Sequence, residues 1–450
     1  MKNEKENLLE IVKNILLKYC LCDNCLGRQF SKLIPGLTNE ERGRILKISL
    51  LMNILYSYKD KENEKEILKK IILNSQLFDI IEKLNLSIEK EKINEDIFKC
   101  YLCENKIKKE NIKNFSQKIL NELKSIEFKT FLIGASIPVE IHEREDMIRS
   151  EFSLITGEDI KSEINREIGK NLLNLTNAKV DFYNPDVTII TNIFNDNFFI
   201  QINPVFIKGF YKKFVRNLPQ SPWICNYCRG TGCEKCNWQG RKYSSSISEL
   251  IGEISAKIFE AIDYKFHAAG REDVDALVLG SGRPFVLEII KPLKRTIDMK
   301  FLEKSINEYA KGMIEVNNLC YTTRKEINEL KIKSQKASKT YLAKVIFEEE
   351  VNEEDLKNLE LKMNNITIEQ RTPTRVLNRR KDRIRRKFLY YIKAKKINSK
   401  IIEFEIKAQG GLYIKELITG DNGRTIPSVS EILKNKAISI ELAVIDIEII

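Results

Sequence analysis

Apolar positions recur at helical spacing through the first third of the chain. They do so over residues 8–19, and residues 40–90 form a charged, helix-favouring stretch with few Gly or Pro. Two further stretches with this character lie at 114–126 and 158–173. Because apolar residues repeating every three or four positions are typical of amphipathic helices, these segments are predicted to be helical.

Short apolar runs bounded by turn residues follow this helical part. Runs at 180–183, 187–193 and 198–202 are predicted strands, and Asn184-Pro185-Asp186 separates the first two. The helices at 114–126 and 158–173 together with these strands predict a small α/β unit.

Strand and helix signals then interleave to the end of the chain. A helix is expected from Ser246, with Ser248 as its cap. The further predicted helices are 300–311, 354–363 and 413–417, and the predicted strands are 276–279, 284–290, 341–347, 388–394, 401–407 and 438–450. This order lacks regular β-α-β alternation. It therefore predicts an α+β domain with a mostly antiparallel sheet, in a multidomain chain.

The composition is that of a globular protein. The chain has 450 residues, of which 42% are hydrophobic and 31% charged, with 10 Pro and 19 Gly. These values exclude a collagen-like or broadly disordered chain, and the length predicts two to four domains. No apolar run approaches the ~18 residues of a membrane span, and the first ten residues lack a secretory apolar core. We expect a cytoplasmic protein without a membrane partner.

Positive charge is concentrated in one segment. The whole chain carries a net charge of +12, and residues 371–387 hold nine basic residues and one acidic residue. A local excess of +8 favours a polyanionic partner such as RNA. The alternative is a solvated charged loop in a Lys-rich chain.

Eight of the ten cysteines form four C-x-x-C pairs, a spacing that places two thiolates on one turn. Cys225, Cys228, Cys233 and Cys236 lie within 12 residues and predict a structural zinc site, more readily than buried thiols or a redox pair do. A second site is predicted from two pairs that 74 residues separate, and its ligands would be Cys22, Cys25, Cys100 and Cys103.

Two cysteines remain outside these pairs. Cys20 lies close enough to compete as a ligand, and Cys320 is expected in the core. We expect one or two structural Zn²⁺ ions and assign neither a catalytic role, because four thiolates leave no open coordination position.

The segment 267–275 contains the strongest candidate for catalysis. Asp273 follows Gly270-Arg271 in a predicted turn, so that a cation lies nearby and keeps the carboxylate ionised as a nucleophile. Taken alone, the segment is equally well explained by a turn with a surface ion pair. Asp275, two residues further on, is the competing carboxylate.

The motif at 270–273, GRED, resembles the G-R-x-D motif of pseudouridine synthases. The longer string GREDVD…LGSGRPF resembles the tRNA pseudouridine synthase family of archaea and eukaryotes that modifies the T-loop and carries its own THUMP domain. Other segments match that family in the same order along nearly the whole chain, namely 22–30, 181–193, 217–223, 370–376 and 410–417.

The resemblance implies roles for individual residues. Asp273 matches the catalytic aspartate, Tyr341 the tyrosine that stacks on the target base, and Tyr413 a second tyrosine in contact with substrate. Lys415 is the candidate basic partner of the aspartate. The remaining predicted substrate-binding residues are Arg271, Arg371 and Arg375.

The resemblance also implies the organisation and the activity. We expect a zinc-stapled helical region at 1–110, a THUMP-like RNA-binding domain at 111–215, a zinc knuckle at 216–244 and the catalytic domain at 245–450. The implied enzyme is an isomerase that converts uridines 54 and 55 of tRNA to pseudouridine without an organic cofactor. It would bind the T-arm of tRNA and act as a monomer.

Two other functions stay open at this point. One is a different THUMP-bearing tRNA-modifying enzyme, such as a methyltransferase or thiolation enzyme. That class needs a nucleotide site, and the glycines at 280 and 282 precede a strand-like run rather than a helix. The other is a zinc-containing tRNA-binding protein without catalytic activity.

Overall fold

The computed structural model describes residues 7–57, 62–77, 80, 98–378 and 380–448. They form two compact units, Met1–Asn203 and Pro204–Ile450. Parts of the predicted helical stretch at 40–90 and of the predicted strand at 438–450 lie outside the described residues, as does residue 379 within the basic segment.

Helices make up most of the first unit. Its helices are α1 (Leu8–Lys18), α2 (Asp23–Gln29), α3 (Asn39–Ser57), α4 (Glu62–Asn74), α5 (Lys109–Leu123), α6 (Val139–Glu151) and α7 (Ile160–Leu175). The predicted helix at 8–19 is confirmed as α1, where the Asn7 side chain accepts a hydrogen bond from the amide of Leu9 and caps the helix. Its buried face, with Val12, Ile15 and Leu16, joins the main core of the unit.

A four-stranded sheet completes the first unit. Its strands are β1 (Thr130–Ala135), β2 (Lys179–Val180), β3 (Val187–Asn192) and β4 (Asn197–Ile202), in the order β2-β1-β3-β4. β1 pairs in parallel with β2 and β3, and β4 is antiparallel to β3. The predicted strand at 180–183 is wrong beyond Val180, because the Asp181 carboxylate accepts hydrogen bonds from the amides of Tyr183 and Asn184 and closes a turn.

The second unit is built on a ten-stranded sheet. Its strands are β5 (Val205–Lys213), β6 (Asp263–Ala268), β7 (Leu277–Ile290), β8 (Ile314–Thr322), β9 (Ser338–Phe347), β10 (Ile366–Arg371), β11 (Ile384–Lys396), β12 (Ile401–Gln409), β13 (Thr425–Ile426) and β14 (Ala437–Glu448). The order is β13-β10-β11-β12-β9-β14-β7-β5-β8, with β6 also paired to β7. All described pairs are antiparallel except β14 with β7, as the α+β prediction requires.

Five described helices pack against this sheet, and a sixth, Val429–Leu433, packs on two of them. They are α8 (Ile247–Ile258), α9 (Met299–Tyr309), α10 (Arg324–Lys336), α11 (Glu353–Met363), α12 (Ile414–Thr419) and α13 (Val429–Leu433). Ser246, rather than the predicted Ser248, caps α8, because its hydroxyl accepts the amide of Glu249. None of the described helices has the length and apolar character to cross a membrane.

Two sequence expectations fail in this sheet. The sequence predicts separate strands at 276–279 and 284–290, yet β7 runs through both. Gly280 and Gly282 take positive φ values beside a register shift in the pairing with β5, so they form a bulge instead of a turn. Cys320, expected in the core, is exposed, because it lies on β8 at the edge of the sheet.

Three loops of the second unit meet beside the first residues of β9. They are residues 269–276 between β6 and β7, residues 372–383 between β10 and β11, and residues 410–413 between β12 and α12. β10 pairs with β11 over its whole length, so that register fixes where the basic loop begins. Sheet pairing thus brings together residues that lie up to about 140 positions apart in the sequence.

Candidate active site

Asp273 lies in a cleft of about 570 Å³ and is held there by Arg375. Its two carboxylate oxygens accept hydrogen bonds from the two terminal nitrogens of the guanidinium, at 3.1 and 3.0 Å. Such a bidentate pair fixes the orientation of the carboxylate. The Asp273 side chain remains about one-third exposed, so a substrate can reach it.

Arg375 is itself fixed by a second carboxylate. Its Nε donates to Glu416 at 2.6 Å, and Glu416 is buried at the start of α12. Burial alone would lower the pKa of Arg375, but hydrogen bonding and attraction to Glu416 and Asp273 outweigh it and raise that pKa. The cation therefore stays charged beside Asp273.

Two aromatic rings line the same cleft. Tyr341, on β9, is 9% exposed, and burial is the largest cause that raises its pKa to about 12, so the ring carries a neutral hydroxyl. The Arg375 guanidinium lies 5.9 Å from the ring centroid of Tyr413. The Tyr413 hydroxyl accepts a hydrogen bond from Arg380 at 3.1 Å.

Gln370 positions the backbone of Tyr413. Its side-chain oxygen accepts the Tyr413 amide at 2.8 Å, and its amide nitrogen donates to the Tyr413 carbonyl at 3.0 Å. The same nitrogen also donates to Thr425 at 3.1 Å, and Gln370 is buried. The motif at 370–376 is recognisable in the sequence, but this supporting role of its first residue is not.

A buried ion pair supports the loop that carries Asp273. Nε of Arg283 lies 2.9 Å from a Glu272 carboxylate oxygen, and the Tyr211 hydroxyl donates to Glu272 at 3.0 Å. Gln220 joins Tyr211 to the carbonyl of Gly270. Tyr211 is fully buried, so its role is to support this loop.

Lys339 is a further cleft residue that the sequence analysis did not single out. It is 8% exposed, and burial together with the nearby Arg283 cation lowers its pKa to about 8. The only signal for it in the sequence was its position two residues before Tyr341.

Lys415 does not contact Asp273 as expected. Its ammonium lies 2.5 Å from a carboxylate oxygen of Asp275. Burial would raise the pKa of Asp275, but Lys415 outweighs it and lowers that pKa. Asp275 is not among the described residues that line the cleft, whereas Asp273 is.

Arg271 also differs from its expected position. Its guanidinium lies 5.4 Å from the ring centroid of Trp223, and the cation on Asp273 is Arg375, which is 102 positions away in the sequence. Arg371, by contrast, is paired with Asp382 at 2.9 Å. Arg271 still lines the cleft, so contact with substrate remains a prediction for it.

Part of the basic segment at 371–387 faces the cleft. Arg380, Arg385 and Lys387 line it together with Arg375. Some of the positive charge of the segment is neutralised, as in the contact of Arg386 with Glu369. The remaining cations form a positive rim that suits an anionic ligand.

The first cysteine cluster lies in the core of the first unit. Cys22, Cys25, Cys100 and Cys103 have ligand atoms within 4.8 Å of one another, and the Sγ atoms of Cys22 and Cys103 are 3.5 Å apart. Tetrahedral zinc with four Zn–S bonds of about 2.3 Å has S–S edges of about 3.8 Å. The cluster therefore fits zinc, and Cys20 is not among its four members.

The second cluster lies in the knuckle. The described Sγ–Sγ distances among Cys225, Cys228, Cys233 and Cys236 are 3.7 to 3.9 Å. The amide of Gly240 donates to the sulfur of Cys236 at 3.2 Å. A Cβ at position 240 would lie 2.4 Å from the carbonyl oxygen of residue 230, so only glycine fits this turn. This cluster also fits zinc.

Family models and curated relatives agree on where the chain belongs. The model described as "Pus10, C-terminal" matches residues 206–448, more than half of the chain. The chain belongs to the Pus10 family. The model "Pus10 THUMP domain, archaeal" matches residues 115–192, so the family predicted from the sequence is confirmed, and with it the combination of a THUMP domain and a pseudouridine synthase fold.

Three relatives named "tRNA pseudouridine synthase Pus10" illustrate the match. The protein of Thermofilum pendens is 41% identical and that of Methanocaldococcus jannaschii 41% identical, each over 98% of this chain and 95% and 94% of the relative. The protein of Ignisphaera aggregans is 39% identical over 97% of this chain and 98% of the relative. As a member of the Pus10 family, the chain is a tRNA pseudouridine synthase, an isomerase.

Proposed function

We propose that this enzyme converts uridines 54 and 55 in the T-loop of tRNA to pseudouridine, with Asp273 as the catalytic carboxylate and without an organic cofactor. The observation that carries the proposal is the Asp273–Arg375 pair in a cleft lined by Tyr341 and Tyr413. The T-loop positions rest on the resemblance of the motifs at 270–285, 370–376 and 410–417.

The reaction breaks the bond between N1 of uracil and C1′ of ribose and forms a bond between C5 and C1′. The Asp273 carboxylate either attacks C1′ as uracil leaves with the bonding electrons, or removes the proton from C2′ as uracil leaves. The base then turns. In the first route C5 displaces the Asp273 carboxylate from C1′, and in the second route C5 bonds to C1′ while the proton returns from Asp273 to C2′. In both routes the proton on C5 then departs and N1 takes up a proton. Electrons and atoms balance without a redox step or a group donor, so an organic cofactor has no task in this reaction.

Arg375 stays charged and holds the carboxylate of Asp273 in one orientation before substrate arrives. The target uridine must leave its stack, which costs a few kcal/mol. Stacking on Tyr341 recovers ~1–3 kcal/mol of this cost. The cations of Arg380, Arg385 and Lys387 bind backbone phosphates at the rim.

We also propose which metal the enzyme binds, where it acts and that it is a monomer. Each four-cysteine cluster holds a structural Zn²⁺ through four thiolates, which leaves the metal no catalytic position. We further propose that the enzyme acts in the cytoplasm as a monomer with the T-arm of tRNA as its ligand. Light scattering of the purified chain, alone and with one equivalent of tRNA, tests the assembly.

The test compares two aspartates two residues apart. Unmodified tRNA transcript is incubated with the wild-type chain, Asp273→Asn and Asp275→Asn, and pseudouridine is mapped chemically at each position. We expect Asp273→Asn to form no product while its tRNA affinity stays within about threefold, because phosphate contacts dominate affinity. Asp275→Asn should still form product.

The outcomes separate the parts of the proposal. An inactive Asp275→Asn beside an active Asp273→Asn would show that the chemistry is assigned to the wrong carboxylate. Product at uridines outside the T-loop would refute the target positions alone. A wild-type chain that binds tRNA and forms no pseudouridine at uridines 54 and 55 would refute the proposed reaction at these positions.

A further inference from the structure

The zinc knuckle exposes large aromatic side chains next to cations. We call the group Trp223, Tyr227, Lys235, Trp238 and Lys242 the knuckle surface. Tyr227 is 71% exposed and Trp238 is 73% exposed. Neither ring contributes to the hydrophobic cores of the unit, so both leave aromatic surface exposed to solvent.

Two adjacent hollows lie against these rings. The larger, of about 700 Å³, has Trp223 and Tyr227 in its wall, and the smaller, of about 400 Å³, has Tyr227 and Trp238. Tyr227 and Lys235 border both hollows. Each hollow is therefore bordered by two aromatic side chains, which are the residue type on which a planar group stacks.

The cations are placed over the rings. The ammonium of Lys235 lies 3.7 Å from the ring centroid of Tyr227, and that of Lys242 lies 5.4 Å from the centroid of Trp223. Residues 223–243 carry four basic side chains and one acidic side chain, but Zn²⁺ with four thiolates carries −2. The net positive charge of the knuckle is therefore small, and the aromatic faces are its main binding feature.

The larger hollow lies next to the active-site cleft. Trp223, in the wall of the hollow, is in contact with Arg271, which lines the cleft. Asn378 lines the hollow, and Arg375 and Arg380 of the same loop line the cleft. A strand whose nucleotide enters the cleft thus has its neighbouring nucleotides beside the hollow.

We infer that the knuckle surface binds unpaired bases of the substrate RNA adjacent to the target uridine, by stacking on Tyr227, Trp238 and Trp223. The inference rests on the proposed function, because it takes the RNA in the cleft as given. Aromatic faces interleaved with cations are the surface by which proteins hold single-stranded nucleic acid. The surface would hold the loop open while one uridine is in the cleft.

Binding by stacking predicts a specific pattern in affinity. The double variant Tyr227→Ala/Trp238→Ala should bind tRNA transcript roughly 5- to 150-fold more weakly for each stacked base lost, because stacking contributes ~1–3 kcal/mol per base. The slope of log affinity against log salt should not change, because no phosphate contact is lost. Tyr227→Phe/Trp238→Phe should retain most of the affinity.

Three controls keep the result interpretable. Phe301→Ala removes an aromatic side chain that is 55% exposed on α9 and should leave affinity unchanged. Lys235→Ala should reduce the salt slope by at most one phosphate contact, about 0.7 to 0.9. The metal content of every variant is measured, since a variant that lost the knuckle metal would report on folding.

Crosslinking locates the contact. Transcripts with 4-thiouridine at single T-loop positions are irradiated with the wild-type chain, and the crosslinked peptide is identified. Crosslinks from nucleotides beside the target to peptides containing Tyr227 or Trp238 support the inference.

Unchanged affinity of the metal-loaded Ala double variant overturns the inference, and would leave a protein as the alternative occupant of this surface. If the wild-type chain binds tRNA but forms no pseudouridine, the proposed function fails, whereas the affinity pattern still reports on the surface.

Discussion

The two cysteine clusters have the same four ligands but very different surroundings. In the first unit, Cys22 is 5% exposed, and Cys25, Cys100 and Cys103 are 0% exposed. In the knuckle of the second unit, Cys228, Cys233 and Cys236 are only partly buried. The first cluster is part of a hydrophobic core, and the second is part of a surface.

The separation of the ligands along the chain also differs between the two clusters. A metal in the first cluster joins two pairs of cysteines that 74 residues separate, and so closes a long loop. A metal in the knuckle joins ligands within 12 residues. Closing the longer loop removes more conformational entropy from the unfolded chain. On the proposed assignment, a zinc ion in the first cluster would stabilise that unit, whereas one in the knuckle would shape the surface that we infer to bind RNA.

The largest effect is expected from Cys100→Ser. Structural Zn²⁺ contributes about 10–16 kcal/mol in small zinc domains, as much as or more than the whole stability of a typical domain. We expect this variant to lose one of two zinc ions and the cooperative unfolding transition of the first unit. Zinc analysis and limited proteolysis measure both effects.

The matched control is Cys20→Ser, two residues before Cys22. Its thiol lies 3.6 Å from the carbonyl oxygen of Phe98 and outside the cluster. This variant should retain both zinc ions and a folded first unit. A Cys100→Ser chain that still binds two zinc ions and unfolds cooperatively would contradict the assigned ligands.

A smaller effect is expected from Arg28→Met. Arg28 is fully buried beside the first cluster, and its guanidinium donates to Glu145 at 2.8 Å and Glu163 at 2.7 Å. Its removal breaks the buried pair with Glu163 and leaves Glu145 with the Arg149 cation, at 3.2 Å. Breaking a buried pair in this way costs about 3–5 kcal/mol. Denaturant unfolding of the first unit measures this loss.

Arg166→Met is the matched control for that experiment. Arg166 contacts Glu158 through both terminal nitrogens at 2.7 Å, but its side chain is 39% exposed. Exposed pairs contribute about 1 kcal/mol or less. If the two variants lost the same free energy of unfolding, burial of Arg28 would add nothing to the strength of its ion pairs. The contrast between a buried first cluster and an exposed knuckle would then be weaker.

The sequence alone predicts a site when its ligands are close along the chain, and it predicts the family when the matching motifs are long. C-x-x-C spacing identified all eight cysteines of the two clusters, because two thiolates on one turn are a local feature. Periodicity predicted the majority of the helices, but it missed those at 23–29, 139–151, 324–336 and 429–433, and it missed six of the fourteen described strands, among them 205–213 and 314–322. The family followed from motifs distributed over the whole chain.

Contacts between distant loops were not predictable in the same way. Arg375 meets Asp273 only because pairing of β10 with β11 sets where the basic loop begins. Lys415 was expected at Asp273 and contacts Asp275, a difference of two residues along one loop. Gln370 supports Tyr413 through its side chain, and no sequence pattern states which residue a buried amide will reach.

The smallest effect on stability is expected from Cys233→Ser in the knuckle. The variant should lose one zinc ion and the fold of the knuckle, but the unfolding transition of the rest of the second unit should change far less than that of the first unit does in Cys100→Ser, because Cys233 lies outside the hydrophobic cores of the second unit. A reagent that modifies cysteine thiols should likewise release the knuckle zinc from the wild-type chain before it releases the buried zinc. Release in two phases, recorded with a metallochromic dye, measures this order.

Cys233→Ser also tests whether the knuckle cluster is needed for RNA binding. Tyr227 and Trp238 are held by the turns that the four thiolates close, so Cys233→Ser should weaken tRNA binding about as much as the Tyr227→Ala/Trp238→Ala variant does. Cys320→Ser changes an exposed cysteine outside both clusters and should change neither zinc content nor affinity. If Cys233→Ser unfolds the second unit, the knuckle is a structural element like the first cluster. If the unit stays folded and affinity falls, the two clusters have separate roles, one in stability and one in recognition.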